Sequence, residues 1–197
     1  AGAFINDRQV SADGFELNLS CPHMDRKDMG SNIGKDQALC SFVTQVVKEA
    51  AKVPVWAKLT PASADMTVEA GAVFRGGADA VSLINTVSSI TAVDLDSFSP
   101  EPSIDGKGSH GGYCGPAVKP IALHMVAALA RDPRITVPIS GIGGIATWRD
   151  AAEFIALGCT SVQVCTAVMH YGFRIVEDMI DGLGEPVAVG RGQEATG

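Results

Sequence analysis

Five places in the chain put chemically able residues at the ends of apolar runs. In ELNLSCPH (16–23), Cys21 follows Asn18, Leu19 and Ser20 and precedes Pro22; in VPVWAKLT (53–60), Lys58 and Thr60 close an otherwise apolar run; AVSLIN (80–85) ends in Asn85 and Thr86. GIGGI (141–145) is a glycine-rich turn, and Cys165 with Thr166 ends SVQVCTA (161–167). A free cysteine is commonly a small buried hydrophobe, but the polar neighbours of Cys21 make a poor apolar core, so a reactive thiol is the competing reading. A lysine inside a buried strand is costly unless it is paired, which makes Lys58 a candidate for contact with an anion. Asn18, Asn85 and Thr86 either turn the chain or present hydrogen-bonding groups to a ligand.

The elements that must position these groups repeat. The runs 15–20, 53–60, 80–85, 137–143 and 161–167 are nearly continuous in apolar and β-branched residues, as parallel strands buried on both faces are. Helical periodicity lies between them: Leu39, Phe42, Val43, Val46, Val47 and Ala50 recur at three- and four-residue steps. Thr147 and Asp150 resemble a capping box opening a helix with Ala151, Phe154 and Ile155 on its apolar face and Gly158 at its end. Phe173, Val176, Ile180 and Leu183 mark a last amphipathic helix ended by Gly184. The order predicts an α/β fold with a parallel sheet. Polar groups at the C-terminal ends of successive strands favour a (β/α)8 barrel, whose sites form there, over an open doubly wound sheet. Five units are fewer than eight, so a partial barrel is expected. From Thr86 to Pro116 no element is legible over 31 residues, a length that marks a lid, a binding loop or a misassigned element, and the Gly, Ser and Pro content argues against a missed helix.

Composition narrows the classes. With 46% apolar and 19% charged residues the chain is globular. A net charge of −7 without a basic cluster argues against a nucleic-acid partner. The longest apolar stretch, 120–130, is too short to cross a bilayer, and no secretory leader is legible. Five cysteines without a CxxC pair fit reduced thiols of a cytoplasmic protein, with Cys40, Cys114 and Cys159 structural by default. The scattered histidines predict no metal site.

NLSCP (18–22), AKLTP (57–61), SLINT (82–86), DGKGSHGGYCGPAVKPIAL (105–123), PISGIGGI (138–145) and QVCTA (163–167) together resemble dihydropyrimidine dehydrogenases, relatives of the dihydroorotate dehydrogenases. The likeness spans residues 15 to 183. It implies the fourth to eighth βα units of an FMN-binding TIM barrel, preceded by a divergent leader (1–14) ending an earlier unit and followed by a disordered tail (184–197). The implied reaction is reversible reduction of the 5,6 double bond of uracil or thymine. Cys21 is then the proton donor and acceptor, a role suited to a thiol of pKa about 8.5. Asn18 and Asn85, with Leu19, Ser20 and Thr86, would hold the pyrimidine base, since a carboxamide complements both groups of an imide edge. Lys58 would face the flavin, and Gly115, Ile142, Gly143, Gly144, Cys165 and Thr166 would complete the FMN site. An iron–sulfur cluster, FAD and NAD are expected only in absent segments or in an FAD- and NAD-binding electron-transfer subunit, and the complete enzyme is expected to be an oligomer. Relatives usually carry Asn at the place of Ala62, so one local polar contact is expected to differ. Dihydroorotate dehydrogenation is the neighbouring alternative, and a non-catalytic fragment is the alternative of another class.

Overall fold

A side-chain alternation that the apolar runs conceal organises the sheet. The computed structural model describes residues 12–19, 30–104, 107–108 and 111–184. Its main sheet is built from β1 (Phe15–Asn18), β2 (Val55–Lys58), β3 (Ala80–Leu83), β10 (Ile139–Ile142) and β11 (Ser161–Gln163), all parallel and adjacent in that order. Successive strand residues point to opposite faces. One face therefore carries Leu17, Val55, Ala57, Val81, Leu83, Ile139 and Gly141, and the other carries Glu16, Asn18, Lys58, Ser82, Ser140 and Gln163. The parallel pairing matches the sequence expectation, and the central strands β3 and β10 are buried on both faces as expected; the inner of the two faces is largely polar rather than apolar.

Helices α1 (Gln37–Ala50), α2 (Met66–Arg75), α3 (Lys119–Ala130) and α4 (Trp148–Ala156) connect the strands. They cover the apolar face with Ala70, Val73, Val126, Leu129, Ala151 and Phe154, all fully buried. Gly141 shows how close this packing is: a Cβ there would stand 2.4 Å from the Phe154 ring and 2.8 Å from Cys159 Sγ. Asp36 and Asp65 cap α1 and α2 by accepting backbone N–H bonds. The Thr147–Asp150 capping box forms with both reciprocal bonds. Asp150 also takes the Lys119 ammonium at 2.7 Å, tying α4 to the start of α3.

The sheet is curled. Five flat strands spaced about 4.8 Å apart would hold β1 and β11 roughly 19 Å from each other, beyond the combined reach of a Glu and a Gln. Yet Gln163 Nε2 on β11 donates to Glu16 Oε1 on β1 at 2.7 Å. The polar face is thus the inside of a trough.

Two corrections concern helix faces. On α1 the buried residues are Cys40, Thr44 and Val47, while Phe42 and Val46 are exposed. After α5 (Thr166–Tyr171), α6 (Arg174–Gly184) buries Ile175 and Met179 and exposes Val176, Ile180 and Leu183, and Phe173, expected on this helix, precedes it and is exposed. The apolar arc of α6 is wider than one neighbour covers, and the neighbours α4 and α5 take its other side. Ile155 likewise faces out, beside the buried Phe154. The third correction concerns the segment 86–116, expected to hold no element. Among its described residues are three antiparallel ribbons, β4 (Val87–Ser89) with β9 (Gly111–Tyr113), β5 (Ala92–Asp94) with β6 (Ser99–Glu101), and β7 (Ser103–Ile104) with β8 (Lys107–Gly108). Strands of two or three residues are too short for a period to register. Residues 1–11 of the expected leader (1–14) and 185–197 of the expected tail (184–197) lie outside the described residues, while Gly184, assigned to the tail, closes α6.

Candidate active site

At the C-terminal ends of the strands the trough opens into a cavity of about 570 Å³, within the ordinary size of a small-molecule site. Lys58, Asn85, Thr86, Gly115, Ile142, Gly143, Gly144, Cys165 and Thr166 all line it. Nine residues chosen from strand ends, the double glycine and the resemblance are therefore brought to one space by five separate segments. Ile84, Val118 and Ile145 supply apolar wall between them.

Asn18 and Asn85 meet directly: Asn85 Nδ2 donates to Asn18 Oδ1 at 2.9 Å. The Thr86 backbone N–H donates to Asn85 Oδ1 at 2.7 Å, which fixes the plane of the Asn85 carboxamide. Leu19 packs into the core with 3% exposure, so its side chain belongs to the fold. Ser20 and Cys21 lie outside the described residues.

Lys58 finds a partner that the sequence reading missed. Its Nζ lies 3.3 Å from Glu16 Oε2, and Glu16 Oε1 accepts from Ser82 Oγ at 2.6 Å and Gln163 Nε2 at 2.7 Å. Gln163 Nε2 also approaches Ser140 Oγ at 3.2 Å. Burial alone would raise the Glu16 pKa, but the hydrogen bonds from Ser82 and Gln163 and the Lys58 charge outweigh it, so the carboxyl is held below its ordinary range. The signal was present in the strand period: Glu16 and Asn18 share a face, and Asn18 is in register with Lys58, which places Glu16 diagonal to the lysine.

The far wall is backbone. Gly143 and Gly144 adopt φ of 137° and 74°, a region that favours glycine. A Cβ at Gly144 would also stand 2.7 Å from the Gly115 carbonyl oxygen and 2.9 Å from Lys119 Cβ. Two glycines thus let this loop press against the segment that starts α3. Next to it α5 begins at Thr166 without a side-chain cap. The sequence reading had carried the strand through 161–167, whereas it ends at Gln163 and the helix starts three residues later. By contrast, the start of α4 is closed, because Asp150 Oδ2 already accepts from the N–H groups of Ala146 and Thr147.

These features fit FMN. The cavity has the volume for a flavin, a lysine at one side, apolar wall for a ring system, and a glycine-rich backbone loop beside the uncapped start of α5, of the kind that suits a phosphate. Cys114, expected to be structural, is exposed and shares the cavity wall with Cys165. Cys40 and Cys159 match the structural expectation: burial pushes both thiols up to about 11, leaving them protonated and unreactive at neutral pH. Among the described residues no group of three or more His, Cys, Asp or Glu is arranged to hold a metal ion, and no helix is long and apolar enough to cross a membrane.

Comparison with known proteins adds the relatives. The family model for dihydroorotate dehydrogenase matches residues 3–187. The chain is 47% identical over 182 residues to the NAD-dependent dihydropyrimidine dehydrogenase subunit PreA of Escherichia coli K12, covering 92% of this chain and 44% of that protein. It is 45% identical over 182 residues to the catalytic subunit of dihydroorotate dehydrogenase B (NAD(+)) of Pyrococcus horikoshii, covering 92% of this chain and 57% of that one. The chloroplastic dihydropyrimidine dehydrogenase (NADP(+)) of Arabidopsis thaliana is 41% identical over 176 residues, 87% of this chain and 41% of that one. The chain spans about half the length of these relatives. A crystal structure of dihydroorotate dehydrogenase from Eimeria tenella in complex with ferulenol shares the fold, with a TM-score of 0.69 at 19% identity over 86% of this chain and 48% of that one.

Proposed function

Because this chain belongs to the dihydroorotate dehydrogenase family, we propose that it forms the FMN- and substrate-binding arc of an oxidoreductase that interconverts uracil or thymine with the 5,6-dihydropyrimidine. FMN, when bound, supplies the acceptor and donor of the hydride. Lys58 places a positive charge at the cavity wall, where it stabilises negative charge on the cofactor. The linked carboxamides of Asn18 and Asn85 orient the imide edges of the base, and Thr86 fixes Asn85. Cys21, on the segment following Leu19, donates the proton in reduction and takes it in the reverse direction. The five βα units form part of a (β/α)8 barrel, consistent with the curled sheet, the two parallel edge strands, and the apolar residues exposed on α1 and α6. In the complete enzyme, an FAD- and NAD-binding subunit with iron–sulfur relays would exchange electrons with the site, in a cytoplasmic oligomer.

One observation favours a neutral base over orotate. Among the described residues Lys58 is the one Lys or Arg lining the cavity, and Glu16 is paired with it. Among the described residues no second Lys or Arg lines the cavity to meet a carboxylate on the substrate. Anaerobic assay of the complete flavin-loaded protein with dihydrouracil and with dihydroorotate tests the choice. Dihydrouracil should bleach the flavin and dihydroorotate should not; the reverse would make the protein a dihydroorotate dehydrogenase. Cys21→Ala should keep its flavin and lose at least about a hundredfold in turnover, the lower end of what a positioned acid or base contributes. Turnover near the parent's would remove Cys21 from the role.

A further inference from the structure

Glu16 is a charged residue in the middle of a strand, on the inside of the trough, and the proposed reaction gives it nothing to do. Its carboxylate is held by donors from three strands: Lys58 on β2, Ser82 on β3 and Gln163 on β11. Ser82 is fully buried, and Ser140, which shares Gln163 Nε2, is 2% exposed. The acceptor site Oε1 is therefore occupied by two short bonds, and Oε2 is left for the Lys58 ammonium. Glu16 itself does not line the cavity; Lys58 and Gln163 do.

We propose that Glu16 is a positioning residue that holds the Lys58 ammonium at the cavity wall and so sets the preference of the site for the reduced, anionic flavin. The proposal rests on the FMN reading above. A lysine stem has four rotatable carbons and loses much rotamer freedom when fixed. An acceptor that Ser82 and Gln163 hold from two other strands removes that freedom in advance, much as orienting partners do for metal-binding histidines. Position and bare charge make opposite predictions. If Glu16 acted only as a negative charge near the flavin, neutralising it would favour the anionic form. If it positions Lys58, neutralising it frees the ammonium and disfavours that form.

Glu16→Gln separates the two. The two donors Ser82 and Gln163 claim the single amide oxygen, which turns the amide N–H2 toward Lys58, donor against donor. The test is the midpoint potential of the bound flavin in the complete protein, with dissociation constants for oxidised and reduced FMN. Glu16→Gln should weaken reduced relative to oxidised FMN by roughly tenfold, the lower end of what orienting partners contribute at metal sites, and move the potential to a more negative value. Lys58→Met should move it the same way, and adding Glu16→Gln to Lys58→Met should produce no further negative shift. Glu16→Asp keeps the charge but withdraws it from Lys58, and should also shift the potential negative, which keeps the test open if the Gln variant does not fold. A positive or absent shift in a flavin-loaded variant overturns the positioning role while leaving the FMN reading intact. A folded parent that binds no FMN overturns both.

Discussion

On its outer face the sheet presents Leu17, Ala57, Val81, Leu83 and Ile139 to the helices, where Val73, Val126, Leu129 and Phe154 close over them. On its inner face the same strands present Glu16, Lys58, Ser82, Ser140 and Gln163 to one another. The outer contacts are non-directional, and their strength follows apolar area removed from water. The inner contacts are directional, and each acceptor has an identified donor. A period of two therefore lets one set of strands carry the stability of the fold on alternate residues and the geometry of the site on the rest. Damage to the outer face should cost folding, and damage to the inner face should cost function with the fold retained.

The largest expected effect is on the outer side. Phe154 is fully buried against the position of Gly141, and Phe154→Ala should destabilise the protein by about 3–5 kcal/mol, read from denaturant unfolding. The flavin bound per folded chain should stay at the parent level. A variant with full stability and no flavin would break the division between the faces.

A smaller effect is expected at Asp150, which joins the helix layer to the loop beside the cavity. Burial alone would raise its pKa, but the hydrogen bonds from Lys119 and Thr147 and the N–H groups of Ala146 and Thr147 hold it below the ordinary range. A carboxyl depressed in the folded state stabilises fully above its unfolded pKa, about 3.9. That contribution is lost as pH falls through the depressed value. Asp150→Ala should cost about 1 kcal/mol at neutral pH, as loss of a cap does, and should flatten the acid limb of the stability profile. An unchanged acid limb would show that the cap carries no proton linkage.

The strands, their parallel order and the Thr147–Asp150 cap were legible because each is written in local periodicity or in residues a few positions apart. So were eight of the nine cavity-lining residues, placed at strand ends or in the glycine turn, whereas Gly115 came only through the family resemblance. Glu16 was only half legible: its strand period places it beside Lys58, but its anchor Gln163 lies 147 positions away, and no local pattern reports a contact across a curled sheet. The α6 face was misread for a related reason. Its apolar arc is broad, and which side is buried depends on where α4 and α5 lie. The ribbons in 87–113 stayed hidden because their partners are as far apart as Val87 and Tyr113, in Gly- and Ser-rich sequence.

A flavin held in the cavity at the strand ends should be visible in the cofactor content of the purified complete protein. Denaturation should release stoichiometric FMN, identified by its visible absorbance and its mass. A folded, colourless protein that takes up no added FMN would contradict the account.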